Sequence, residues 1–204
     1  MSPDNRLRHA LQDIDVLVLP GWRNSGPTHW QSRWEARFPP WRRLQQENWT
    51  HPRRDDWVGT LETAVTTSRR PLLLVAHSLG CITVAHWASR HAGGRVAAAL
   101  LVAPADVERH DVAGRLRGFA PIPRMPLPFP TLVVGSDNDP ACRAPRAAAL
   151  AHAWGADFLL LQGAGHINAD SGLGDWEPGL QVLDTWLGRQ ALPASAARRA
   201  LRVA

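Results

Sequence analysis

Leu72-Leu73-Leu74-Val75-Ala76-His77-Ser78-Leu79-Gly80-Cys81-Ile82-Thr83-Val84-Ala85-His86-Trp87 is the stretch on which the rest of the chain turns. Its first four residues form an apolar run of strand length, and Ile82, Val84, Ala85 and Trp87 recur at helical spacing. The strand therefore runs straight into a helix, with Ser78 at the joint. A turn that sharp needs small residues two places before and after its apex, and Ala76 and Gly80 supply them. The common form of this motif has Gly at the first of those positions, where this chain has Ala. The apex residue is held in a strained backbone conformation costing about 1–3 kcal/mol. Its hydroxyl is presented at a helix N-terminus, where the Leu79 N–H can face a developing negative charge. A serine that merely caps the helix is the simpler alternative.

Apolar runs of the same kind recur at 15–19, 96–103, 131–134 and 158–161, with a weaker one at 43–47. Each reads as a strand buried on both faces. Helical spacing of apolar residues covers 28–38, 55–68, 79–91, 143–154 and 179–187. Strand and helix in alternation predict an α/β fold with about six mostly parallel strands, flanked by helices and joined by right-handed crossovers. The segment from Pro104 to Pro130 holds Pro121, Pro123, Pro126, Pro128 and Pro130 and resists both helix and central strand. It reads as a surface loop or small cap, too short for a substantial lid. A chain of 204 residues fits one domain, 1–204, with a core over about 14–188 and a tail over 189–204.

Two later loops carry the partners a serine nucleophile needs. Gly135-Ser136-Asp137-Asn138-Asp139-Pro140 follows one strand, and Gly163-Ala164-Gly165-His166-Ile167-Asn168 follows the next. The order Ser, Asp, His is the chain order of α/β-hydrolases. His166 would take the Ser78 proton and return it to the leaving group, while a buried aspartate fixes the imidazole tautomer and stabilises its charged form. Asp139 is placed for that work at the end of its loop; Asp137 is the alternative, and suits a turn hydrogen bond better. His77 should point away from the serine, and His86, His91 and His152 read as helix histidines without partners. The loop after the first strand, opening Pro20-Gly21-Trp22, should supply a second oxyanion donor from the Trp22 N–H beside that of Leu79.

A longer string gives the resemblance. Gly21-Trp22-x-x-Ser25-x-x-x-His29-Trp30-Gln31-x-x-Trp34-Glu35, the 76–80 turn, Ala103-Pro104-Ala105-Asp106, Pro128-Phe129-Pro130-Thr131 and the Asp139 and His166 loops together resemble the small serine hydrolases related to retinoblastoma-binding protein nine. The likeness runs from about Ile14 to Leu187. It implies a compact α/β-hydrolase fold with little or no lid, a Ser78–Asp139–His166 triad, and esterase-like or aminopeptidase-like activity. No Leu-x-Cys-x-Glu string is present, so binding to retinoblastoma protein is not implied. The fold alone does not fix a biological role.

The expected reaction is hydrolysis of a small carboxylic ester, or an amide, through an acyl-serine intermediate, with transfer to an acceptor other than water sharing the same triad. A non-catalytic binding module on the same fold is the alternative. Gly21, His29, Trp57, Asn168 and Trp176 are candidates for the substrate pocket, whereas Trp30 and Trp34, four residues apart on one helix, read as core. No cofactor is expected. His51, Asp55 and Asp56 do not make a metal site, since acids in a first helical turn suit the helix dipole.

Composition narrows the partners. All 23 basic residues are Arg, and there is neither Lys nor Tyr, so the pI near 11.0 overstates a net charge of only +5. The Arg residues are scattered, the densest groups being pairs, which argues against nucleic acid. Cys81 and Cys142 cannot build a disulfide framework, and Cys81 beside the turn should pack against the sheet. The first twelve residues lack the apolar core of a secretory signal, and no apolar run is long enough to cross a membrane. A cytoplasmic protein with a small-molecule substrate and no inferable protein partner is the expectation.

Overall fold

The computed structural model describes residues 3–190. Its strands are β1 (Asp15–Leu19), β2 (Arg42–Arg43), β3 (Leu72–His77), β4 (Val96–Val102), β5 (Thr131–Ser136) and β6 (Asp157–Leu161). All pair in parallel, in the order β2-β1-β3-β4-β5-β6. The helices are α1 (Pro3–Ala10), α2 (Trp30–Arg37), α3 (Arg54–Thr67), α4 (Leu79–Ala88), α5 (Ala144–Ala153) and α6 (Glu177–Leu187).

The continuous apolar runs have a simple cause. Side chains alternate across a strand, and here both faces are covered. Leu72, Leu74 and Ala76 of β3 pack with α3, α4 and α5, while Leu73 and Val75 pack with α1, α2 and α6. β1 divides the same way, Leu17 and Leu19 against Val16 and Val18. The abundance of tryptophan is largely a packing matter: Trp30, Trp34, Trp57, Trp87 and Trp154 are each 1% exposed. Burial of a large apolar side chain contributes roughly 1.5–3 kcal/mol.

Two expectations need correction, and one segment left unassigned takes a definite structure. The strand expected over 43–47 pairs only at Arg42 and Arg43, because the chain leaves β1 after Val18 and turns Leu44 into the core beneath. The run at 158–161 was expected to be buried on both faces, but β6 is an edge strand and Leu160 is 43% exposed. The N-terminal segment, read only for the absence of a signal, forms α1, whose Leu7 is 2% exposed in the core shared with α6. Between Pro104 and Pro130 the chain makes a 3-10 turn, Gly114–Phe119, that seats Leu116, Phe119 and Ile122 in the core. The part of the expected tail from 191 onward lies outside the described residues.

The chain steps outward from β1 to β2, then returns to the other side of β1 with β3. This reversal opens a crevice beyond the C-terminal ends of β1 and β3, where doubly wound sheets bind ligands. Gly21 and Ser78 both lie there.

Candidate active site

Ser78 sits between β3 and α4 with φ 53° and ψ −117°, a conformation that non-glycine residues rarely adopt. Its neighbours explain why the turn closes so tightly. A Cβ on Gly80 would lie 2.4 Å from the Leu19 carbonyl oxygen, and a Cβ on Gly21 would lie 2.7 Å from the Ser78 Cβ. Both glycines are thus fixed by close approach of two backbones. The hydroxyl of Ser78 is 2.9 Å from His166 Nε2, and His166 Nδ1 is 2.9 Å from both Asp139 oxygens. The Asp139 side chain is 1% exposed and its Oδ1 also accepts from the Ala141 N–H at 2.7 Å. With Asp139 accepting at Nδ1–H, the neutral imidazole offers Nε2 as an acceptor toward the serine hydroxyl.

Asp137 is exposed and does not reach the imidazole. It accepts from the Gly163 N–H at 2.8 Å, across to the neighbouring loop and not within its own turn. Ser136 Oγ accepts from Ala164 N–H at 3.0 Å, and Asn138 Oδ1 from Gly165 N–H at 2.7 Å. Three successive side chains of the acid loop therefore hold three successive amides of the histidine loop.

Further residues fasten the same point. His77 donates from Nε2 to the His166 carbonyl oxygen at 3.0 Å. Burial, then the neighbouring His166 and His29, hold the His77 imidazole well below its ordinary pKa, so it is neutral. Trp30 donates from Nε1 to the Ile167 carbonyl at 2.8 Å. Gln31, fully buried, donates to the Leu19 and Val75 carbonyls at 3.3 and 3.1 Å and accepts from Ser25 Oγ at 2.7 Å. Arg43 donates to Asn24 Oδ1 and the Ser25 carbonyl, and pairs with Glu35. Ser25, His29, Trp30, Gln31, Trp34 and Glu35 of the long string each have a structural partner. From the loop after β1 the sequence reading took Gly21 and Trp22; it missed the ties made by Gln31, Ser136 and Asn138, whose partners are distant in the chain, and His77, read only as pointing away from the serine, holds the His166 carbonyl.

A cleft of about 430 Å³ opens over Ser78 and His166. Gly21, Trp22, His29 and Asn168 line it, with an apolar wall of Ala105, Val112 and Leu116 from the proline-rich segment. The Trp22 and Leu79 backbone N–H groups donate to nothing among the described residues. His29 caps α2, accepting from the Gln31 N–H at Nδ1. Burial, then Arg43 and His166, lower its pKa to about 4. Asn168 accepts from the Ser171 N–H in a capping box.

Two pocket candidates lie elsewhere. Trp57 is 1% exposed and packs edge-on against Trp49 and Phe119, because helical phase turns it into the core beneath α3. Trp176 stacks on Trp34 at 5.5 Å and packs against Trp30 in the other core. His86 and His91 were expected to lack partners, yet His86 donates to the Phe119 carbonyl at 2.7 Å and His91 lies 3.3 Å from Glu62. Cys81 is buried against β4, its thiol 3.3 Å from the Val102 carbonyl. Among the described residues no three His, Cys, Asp or Glu side chains cluster to hold a metal ion, and no helix is long and apolar enough to cross a membrane.

A parallel six-stranded sheet with a serine elbow at its switch point is the α/β-hydrolase fold. A serine hydrolase family model matches residues 16–185, and the chain belongs to that family of enzymes. A putative YdeN-like hydrolase from Pectobacterium atrosepticum is 36% identical, with a TM-score of 0.82 over 92% of this chain and 98% of that one. The ydeN gene product of B. subtilis is 21% identical, with a TM-score of 0.68 over 85% and 98%. A thermophilic esterase from Thermogutta terrifontis is 18% identical, with a TM-score of 0.58 over 85% and 89%. No curated protein matches.

Proposed function

We propose that this serine hydrolase cleaves small carboxylic esters through an acyl-serine intermediate. The observation that carries the reading is the unbroken relay of 2.9 Å contacts from the strained Ser78 through His166 to buried Asp139. Ser78 Oγ attacks the ester carbonyl as His166 Nε2 takes its proton, forming a tetrahedral intermediate. The imidazolium then protonates the leaving alkoxide, and the C–O bond breaks to leave the acyl group on Ser78. Water attacks that acyl-enzyme, giving its proton to His166, and the carboxylic acid departs as Ser78 recovers its proton. Asp139 holds the imidazole in the reactive tautomer and stabilises its charged form. The unengaged N–H groups of Trp22 and Leu79 are the oxyanion donors, one of which is worth about 3–4 kcal/mol.

The short proline-rich wall leaves the cleft open, which favours small or exposed acyl groups over long lipid chains. Two free, buried cysteines suit a cytoplasmic setting. The purified protein should hydrolyse 4-nitrophenyl butyrate and lose that activity in Ser78→Ala. Faster turnover of a long-chain triglyceride would overturn the size preference, and undiminished turnover in Ser78→Ala would overturn the nucleophile.

A further inference from the structure

Arg23 and Asn24 have φ of 69° and 66°, two left-handed residues in succession on the loop that follows β1. Asparagine enters this region readily; arginine seldom does. The turn is held by Arg23 N–H donating to the Trp49 carbonyl at 2.9 Å and Trp22 Nε1–H to that of Thr50 at 3.0 Å. It lays the Arg23 guanidinium 4.3 Å above the Trp22 ring, and Arg115 approaches the same ring at 5.9 Å. Neither guanidinium has a carboxylate within ion-pair distance among the described residues. Arg23 lines the cleft; Arg115 does not, and donates to the Thr50 carbonyl at 3.5 Å. The other charges that line the cleft are largely matched: Arg109 pairs with Asp111, and Asp106 with Arg146. Asp170, whose partner is the Asn168 amide, also lines the cleft and would repel an anion from its own part of the wall.

We infer that Arg23, laid on Trp22 at the cleft wall with Arg115 near the same ring, recognises a carboxylate on the substrate, so that the preferred esters carry a second, ionised carboxyl group. The inference rests on the reading of this cleft as the esterase site. Two like charges gathered near one ring repel each other, and an anion accepting from Arg23 relieves that repulsion. Stacking on the indole leaves the planar edge of Arg23 free, and that edge matches a carboxylate in bidentate fashion. Asp170 adds direction, since an anionic substrate is favoured in one orientation only.

The test uses two matched pairs bound to Ser78→Ala protein and followed by calorimetry. One pair is 4-nitrophenyl hemiglutarate and its methyl ester, with the charge on the acyl side. The other is 4-carboxyphenyl butyrate and its methyl ester, with the charge on the leaving group. In one pair the acid should bind roughly tenfold tighter than its methyl ester, and Arg23→Gln/Arg115→Gln should bring the two within about twofold. Which pair shows the preference assigns the charge to the acyl or the leaving-group side. Equal binding of acid and methyl ester in both pairs, no measurable binding of either acid, or a preference that survives the double substitution would each overturn the inference. Hydrolysis of the methyl esters by the unsubstituted protein, and its loss in Ser78→Ala, reports separately on the nucleophile.

Discussion

The serine turn and the two loops that carry Asp139 and His166 deliver three side chains to one point by opposite means. Around Ser78 the constraint is covalent and local: a strand, a helix and two glycines whose missing Cβ atoms let backbones meet. Around His166 the constraint is polar and distant, with Ser136, Asp137, Asn138, His77 and Trp30 all bonded to backbone groups of residues 163–167. Steric geometry fails abruptly when it is violated. A set of hydrogen bonds fails by increments, each contributing about 1 kcal/mol.

The largest effect expected on either side is Ser78→Ala, which should reduce kcat by about 10⁶-fold, since loss of the nucleophile alone removes nearly the whole catalytic unit. Asp139→Asn should cost about 10⁴-fold by leaving His166 in the wrong tautomer. Asp137→Ala is the contrasting variant: it removes only one tie between the loops, so kcat should fall less than tenfold, with about 1 kcal/mol lost from stability. Steady-state ester hydrolysis on the three proteins orders them, and an Asp137 loss equal to that of Asp139 would reverse their roles.

Gly80→Ala probes the steric side. The new Cβ would meet backbone oxygen at 2.4 Å, with no flexible side chain to yield, so denaturant unfolding should show a loss of about 3 kcal/mol. Asn138→Ala probes the polar side and should cost about 1–2 kcal/mol with a modest fall in kcat.

A separate effect concerns pH. His29 ionises at about 4 in the folded chain against 6.5 ordinarily, so it is neutral when folded at pH 7. Its contribution to stability is fully present above about pH 6.5. Below that the unfolded chain binds the extra proton, and the contribution is lost as pH falls toward 4, by up to about 3 kcal/mol. His29→Gln should flatten that portion of the stability profile, and an unchanged slope between pH 6.5 and 4 would contradict it.

The same contrast explains what could be read from sequence. The turn at Ser78 was legible because all its determinants lie within sixteen residues: an apolar strand, two small residues and a helical period. The order of Asp139 and His166 was legible because each follows a strand. The ties between their loops were not, because Ser136 with Ala164 and Asn138 with Gly165 are hydrogen bonds across 28 and 27 positions, and polar loop residues carry no periodicity. Trp57 and Trp176 show the converse failure. Their aromatic bulk near connections suggested a pocket, whereas helical phase and ring stacking put them in the two cores. The string at 21–35 identified a family before its chemistry was apparent; Gln31 proves to be the buried group that joins the ends of β1 and β3.

Covalent trapping tests the central claim most directly. Exposure of the folded protein to a fluorophosphonate, followed by peptide mass spectrometry, should place the phosphonyl group on Ser78 and nowhere else. Ser78→Ala should remain unlabelled and Asp139→Asn should label far more slowly. Labelling at another residue, or none in protein that is demonstrably folded, would contradict the assignment of Ser78 as the nucleophile.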